Sequence, residues 1–93
     1  MIQSFADRDT RALFEEDVCH RRWRAFKAVA FRKLDMLDAA VDLGDLRNPP
    51  GNRLEALRGD RAGQHSIRIN DQWRICFVWG PKGPENVEIV DYH

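Results

Sequence analysis

The sequence predicts an α+β fold: N-terminal helices packed on one face of a small antiparallel β-sheet. Three observations carry this. In the first half, Trp23, Phe26, Ala30, Leu34, Leu37 and Val41 are spaced 3, 4, 4, 3 and 4, which lays them along one helical stripe. In the second half, QHSIRIN, WRICFVW and NVEIVD alternate apolar and polar residues at period two. A stiff turn, NPPGN (48–52), divides the halves. Helices followed by strands, rather than alternating with them, define the α+β class. Neither half buries its apolar face alone, so residues 1–93 read as a single domain.

The elements follow in order. Ile2 to Phe5 is a short apolar start, read as an edge strand. Residues 7–16 form a short helix around Ala12, Leu13 and Phe14, with Asp7 or Asp9 as its cap. The long helix carries the stripe from Trp23 to Val41, and Gly44 is its natural stop. Its arginines come early and its aspartates late, which opposes the helix macrodipole, so those charges serve something other than helix stability. RLEALRG is a short strand running into Gly59. QHSIRIN turns at Asn70–Asp71 into WRICFVW, GPKGP is a loop, and NVEIVD is the last strand.

Alternation then assigns faces. Trp73, Ile75, Phe77 and Trp79 must face the helices, because three large aromatics would otherwise lie in water. That puts Arg74 on the open face, together with Arg68. With Val87 and Ile89 in the core, Glu88, Val90 and Tyr92 join them. The strand ends in Asp91, Tyr92 and His93, so a carboxylate, a phenol and an imidazole crowd one strand end.

Composition narrows the function. The chain has 15 basic and 15 acidic residues, so bulk charge predicts no polyanion partner. Distribution says more. Residues 20–33 hold Arg21, Arg22, Arg24, Lys27, Arg32 and Lys33 with no acid. Arginine suits bidentate phosphate contact and base stacking; a solvated helix face is the alternative. There is no apolar run of transmembrane length and no signal peptide, so no membrane role is expected. Cys19 and Cys76, far apart and outside any CxxC, read as reduced thiols of a cytoplasmic protein. No metal-ligand spacing, P-loop or GxSxG is present, so no metal and no cofactor is expected. What is left is guanidinium groups and a Tyr-His pair. RNA supplies its own nucleophile, the 2′-hydroxyl. A metal-free ribonuclease must take that proton, stabilise an anionic phosphorane and protonate the leaving 5′-oxygen. Arginine serves the second need; tyrosine, histidine or aspartate serve the others.

Specific residues sharpen this. LRGDRAGQHSIRINDQWRICFVW with VEIVDYH resembles the RelE/ParE toxin superfamily, most closely its HigB branch, the host-killing toxins of type II toxin–antitoxin systems. The likeness covers nearly the whole chain, through MIQSF, the L-[KR]-G-D-R-x-G loop, the W-R-I strand and the closing DYH. It implies a microbial-RNase-like RelE fold. It implies a ribosome-dependent endoribonuclease that cleaves mRNA in the A site of the 70S ribosome and so inhibits translation. It also implies a helix-turn-helix HigA-like antitoxin, with operator DNA met only through the antitoxin complex. By the same resemblance Arg74 matches the family's transition-state arginine, and Asp91, Tyr92 and His93 its C-terminal catalytic cluster. Arg58 stands where the family usually has lysine. Both are cations, but arginine is a poor general base, so proton transfer shifts to Tyr92, His93 or Asp91. Glu55 falls near a position where some members place a histidine, and that contribution is absent here. Arg68 and Arg61 are expected to bind RNA, and Arg21, Arg22 and Arg24 to meet ribosomal RNA. The alternative reading is a ParE-like non-nuclease toxin that binds DNA gyrase, a branch that shares the fold and does not need the DYH end. A third is a regulatory pair member whose only partner is the antitoxin.

Overall fold

Asp7 sets the first helix. Its carboxylate accepts from the Thr10 backbone N–H at 2.6 Å and from the Thr10 hydroxyl at 3.0 Å, capping α1 (Arg8–Glu16). The structure is a computed structural model that describes residues 1–91. Asp17 ends the helix in the left-handed conformation, and its carboxylate lies 3.0 Å from Lys27 Nζ.

The long helix divides. Arg21–Phe26 is a 3-10 segment, and α2 spans Lys27–Ala39. The stripe is nonetheless read correctly from Trp23 to Leu37: Trp23, Ala30, Leu34 and Leu37 are all buried. Its last member is not. Val41 is 88% exposed, and Gly44 is not the stop. The helix ends earlier because two aspartates compete for its backbone. The Asp45 carboxylate accepts from the N–H groups of Val41 (2.9 Å) and Asp42 (3.2 Å), and Asp42 accepts from the Asp45 N–H (3.2 Å). This reciprocal capping box starts a new 3-10 turn, Leu43–Arg47. Those backbone donors hold the Asp45 carboxyl below its ordinary range. The late acid Asp38 also has a use: it accepts from the Ile2 N–H at 2.8 Å and so ties the chain start to α2.

NPPGN contains a cis Asn48–Pro49 bond and a 3-10 turn, Pro50–Asn52. Asn52 is fully buried. Its amide donates to the carbonyls of Leu46 (3.1 Å) and Asn48 (3.3 Å), while its oxygen accepts from the buried Lys33 ammonium. This polar plug fastens the turn to α2.

The sheet has four antiparallel strands in chain order: β1 (Glu55–Ala56), β2 (His65–Arg68), β3 (Trp73–Gly80) and β4 (Gly83–Asp91). Asn70 builds the β2–β3 turn, its side chain accepting from the N–H groups of Gln72 and Trp73, each at 2.9 Å. GPKGP is tighter than a loop: Gly80 pairs with Gly83, leaving only Pro81 and Lys82 at the tip. The start of the chain lies parallel to β4 rather than forming a full strand. Only Phe5 bridges, to Val87, with flanking bonds Gln3 N–H to Pro84 O (2.7 Å) and Ala6 N–H to Val87 O (2.9 Å). This covers the β4 edge, and Gly83 (φ 138°) lets the backbone of Met1 come close.

The core forms where the alternation put it. Ile67, Ile69, Ile75, Phe77, Val87 and Ile89 meet Leu13, Trp23, Leu34 and Leu37 between sheet and helices. Trp73 and Trp79 flank it half-buried, Trp73 with its ring 5.6 Å from Phe26.

Candidate active site

The uncovered face of the sheet is organised by strand register. One row runs Glu55, Ser66, Cys76, Glu88 from β1 to β4, and the next runs Arg68, Arg74, Val90. Neighbours in a row share a face. Arg74 therefore lies diagonal to Ser66, and three groups from outside its strand hold it. Its Nε donates to Ser66 Oγ at 2.7 Å, and its NH2 nitrogen donates to the Arg53 carbonyl at 2.6 Å. The same nitrogen stands 3.9 Å from the Glu55 carboxylate. The side chain is only 11% exposed, so its direction is fixed before any substrate arrives.

Cys76 is the floor of this face, with no solvent exposure. Burial is the main cause that pushes its thiol up from the ordinary value. Arg61 and Arg74 oppose the rise, and Glu88 and Glu55 add to it. A protonated thiol thus sits inside a collar of alternating charge.

The expected residues are placed as follows. Arg74 and Arg68 face each other across β2 and β3, as alternation requires. Arg68 is turned to Asp71, with which it forms an ion pair. Arg61 donates to Glu88 (2.7 Å) and Gln64 (3.0 Å). Arg58 is exposed; its carbonyl accepts from the Arg61 N–H at 3.2 Å, and its side chain makes no hydrogen bond or ion pair among the described residues. It caps a 3-10 turn, Gly59–Arg61, whose Gly59 takes φ 63°, and this positive angle accounts for the glycine in LRGDR. Asp91 is the one member of the expected C-terminal cluster within the described residues. It pairs with Trp73, on the face turned toward the helices, and accepts from Gln72 Nε2 at 3.0 Å. Tyr92 and His93 lie outside the described residues. Arg21, Arg22 and Arg24 belong to the helix layer, across the sheet from Arg74. Arg22 is engaged there with His20 (3.2 Å) and stands 5.5 Å over the Trp23 ring.

Sequence reading missed two members of the site. Glu55 was set aside for not being histidine, yet its carboxylate stands 3.9 Å from the Arg74 guanidinium. Ser66 carried a signal, because the alternation that places Arg68 on the open face places Ser66 there too. Among the described residues no group of three or more His, Cys, Asp or Glu could hold a metal ion.

Helices on one face of a four-stranded antiparallel sheet are the arrangement of the RelE-like toxin folds. A solved YoeB/ParE toxin from Agrobacterium tumefaciens shares this fold, with a TM-score of 0.50 and 20% identity, over 99% of this chain and 96% of that one. The chain belongs to the HigB-like toxins, described as RelE-like toxins of the type II toxin–antitoxin system HigB; that family's model matches residues 3–93. It is 44% identical over 80 residues to Toxin HigB-1 of Vibrio cholerae, covering 85% of this chain and 84% of that protein. It is 31% identical over 93 residues to Endoribonuclease HigB of Proteus vulgaris, covering all of both. These relatives do not favour the gyrase-binding alternative. As a type II toxin, the protein has an antitoxin partner. No helix among the described residues is long and apolar enough to cross a membrane.

Proposed function

We propose that this toxin is a metal-independent endoribonuclease that cuts mRNA in the A site of the 70S ribosome. The observation that carries the reading is the Arg74 guanidinium, nearly buried, aimed by Ser66 and the Arg53 carbonyl, with the Glu55 carboxylate 3.9 Å away. That is a phosphate-stabilising cation beside a proton acceptor.

In the proposed reaction Glu55 takes the proton of the 2′-hydroxyl, and the freed oxygen attacks phosphorus. Arg74 stabilises the extra negative charge of the phosphorane. The exposed Arg58 adds a second cation, and Arg68 and Arg61 help bind the strand. The P–O5′ bond then breaks. His93 or Tyr92 gives the leaving 5′-oxygen its proton, in keeping with the family resemblance of VEIVDYH. The products are a 2′,3′-cyclic phosphate and a 5′-hydroxyl. Asp91, on the other face of the strand, orients this end rather than accepting the 2′ proton.

Arg21, Arg22 and Arg24, across the sheet, suit ribosomal RNA, leaving the open face to mRNA. The antitoxin is a helix-turn-helix protein of the HigA kind, and operator DNA is met only through the toxin–antitoxin complex. The site of action is cytoplasmic. Primer extension on translated mRNA tests the reading: the wild type produces ribosome-phased cuts, and Arg74→Ala does not. Absence of cuts with the wild type, or their persistence in Arg74→Ala, refutes it.

A further inference from the structure

A second feature opens beside the proposed scissile site. Between the 3-10 turns of residues 43–52 and the β1 edge lies a pocket of about 620 Å³, within the 300–1,000 Å³ range typical of small-molecule sites. Leu43, Pro50 and Leu54 supply its apolar surface, and Arg47 and Arg53 its cations. Both arginines are exposed, and neither side chain has an ion pair or hydrogen bond among the described residues. His65 also lines the pocket, its ring stacked on Phe77 with centroids 6.3 Å apart. The His65 Nδ1 is buried without a partner, a hydrogen-bonding capacity that the fold leaves unused.

Two residues belong to both pocket and site. Glu55 lines the pocket and stands 3.9 Å from Arg74. Arg53 lines it too, and its carbonyl accepts from Arg74 at 2.6 Å. The pocket therefore adjoins the site at the β1 edge, with Glu55 on the open face and its Ala56 and His65 walls on the face turned toward the helices.

We propose that this pocket seats the base and sugar of the RNA nucleotide on the 5′ side of the cut. The assignment rests on the ribonuclease reading and follows from its chemistry. The attacking 2′-hydroxyl belongs to that nucleotide, and its proton acceptor, Glu55, is a wall of the pocket. A nucleotide placed to lose that proton has its base directed onto Leu43, Pro50 and Leu54. Arg47 and Arg53 then meet its upstream phosphate or stack on the base. The pocket is thereby a determinant of base preference at the cut.

The test uses the full chain and the four 3′-mononucleotides, which mimic the product end of this nucleotide. In an NMR titration they should shift the Leu43 and Leu54 methyls and the His65 ring, and inorganic phosphate alone should not. Ala56→Trp, on the exposed β1 edge, fills the pocket mouth, and Arg47→Glu reverses its charge; each should weaken mononucleotide binding about tenfold. In primer extension both should redistribute the base found 5′ of the cuts. Should Ala56→Trp fail to fold, Arg47→Glu carries the comparison alone. Shifts that map elsewhere, or variants with wild-type binding and an unchanged base distribution, overturn the pocket while cuts lost in Arg74→Ala keep the ribonuclease reading. A wild type that makes no cuts overturns both.

Discussion

Arg74 Nε donates to Ser66 Oγ at 2.7 Å across the β2–β3 ladder, so a neutral hydroxyl on one strand aims the cation of the next. Ser66 is completely buried and has no route to substrate of its own. Its replacement by alanine leaves a nearly buried guanidinium short of an acceptor. Ser66→Ala should lower stability by about 1–2 kcal/mol, and slow cleavage about tenfold or more through misplacement of Arg74. Arg74→Lys should not restore activity in either background, because an ammonium lacks the planar fork that meets both Ser66 and a phosphate. Urea denaturation and single-turnover cleavage on programmed ribosomes measure the two effects. A Ser66→Ala protein with full cleavage would show that Arg74 does not depend on this bond.

Glu55→Gln separates charge from shape. The amide keeps the size of the side chain and its place on β1 but cannot accept a proton. Cleavage should fall by about 10²–10⁴, the usual range for loss of a general base. Stability should change by less than about 1 kcal/mol, because the carboxylate is half exposed and its arginine is 3.9 Å distant. An unchanged rate in Glu55→Gln would return the role to Asp91, Tyr92 or His93.

These two residues also show what the sequence makes legible. Period-two alternation is a property of the strand itself, so it placed Arg74 and Arg68 on one face and Ile75 and Phe77 on the other. Register is a property of pairs of strands. No local pattern says that Glu55 stands opposite Ser66, because β1 is only two residues long. The helical stripe likewise predicted burial from Trp23 to Leu37 and failed at Val41. There the Asp42–Asp45 capping box overrides periodicity with side-chain bonds that a hydrophobic pattern does not record. The same alternation puts Cys76 on the open face with Arg74. It is buried nonetheless, in the row between Ser66 and Glu88. Asp91 follows the same alternation: paired with Trp73, it lies on the face opposite Arg74.

The Arg61–Glu88 pair links the LRGDR loop to β4 at 2.7 Å, with both side chains partly exposed. Such a pair contributes about 0.2–1 kcal/mol, so its main effect is on the placement of the loop that carries Arg58. Glu88→Arg places two cations together and should loosen the loop; Arg61→Glu with Glu88→Arg should restore it. Amide exchange of residues 58–64 measures this directly: faster in the single variant, near wild type in the double. Equal exchange in all three would show that the loop is held by its backbone bonds alone.

The buried Lys33 gives the fold a pH dependence whose sign is fixed. Burial is the main cause that lowers its ammonium below 10.5, with smaller contributions from Arg32 and Arg68. Below the folded-state value both folded and unfolded chains carry the proton, and the full cost of a buried charge is present. Above 10.5 neither carries it, and the cost is gone. Between the two the unfolded chain binds more protons, so this residue makes stability rise with pH. Lys33→Met keeps the length of the stem and removes that rise. It also removes the donor to Asn52, so near neutral pH the two effects offset and the net change should stay within about 1–2 kcal/mol. Asn52→Ala acts differently. It leaves the charge without its acceptor and the carbonyls of Leu46 and Asn48 without their donor, and should cost about 3 kcal/mol or more. Urea titrations at several pH values between neutrality and 10.5 compare the three proteins. The difference between wild type and Lys33→Met should drift in favour of the wild type as pH rises. A difference that stays flat across this interval would mean that Lys33 keeps its ordinary affinity for protons inside the fold.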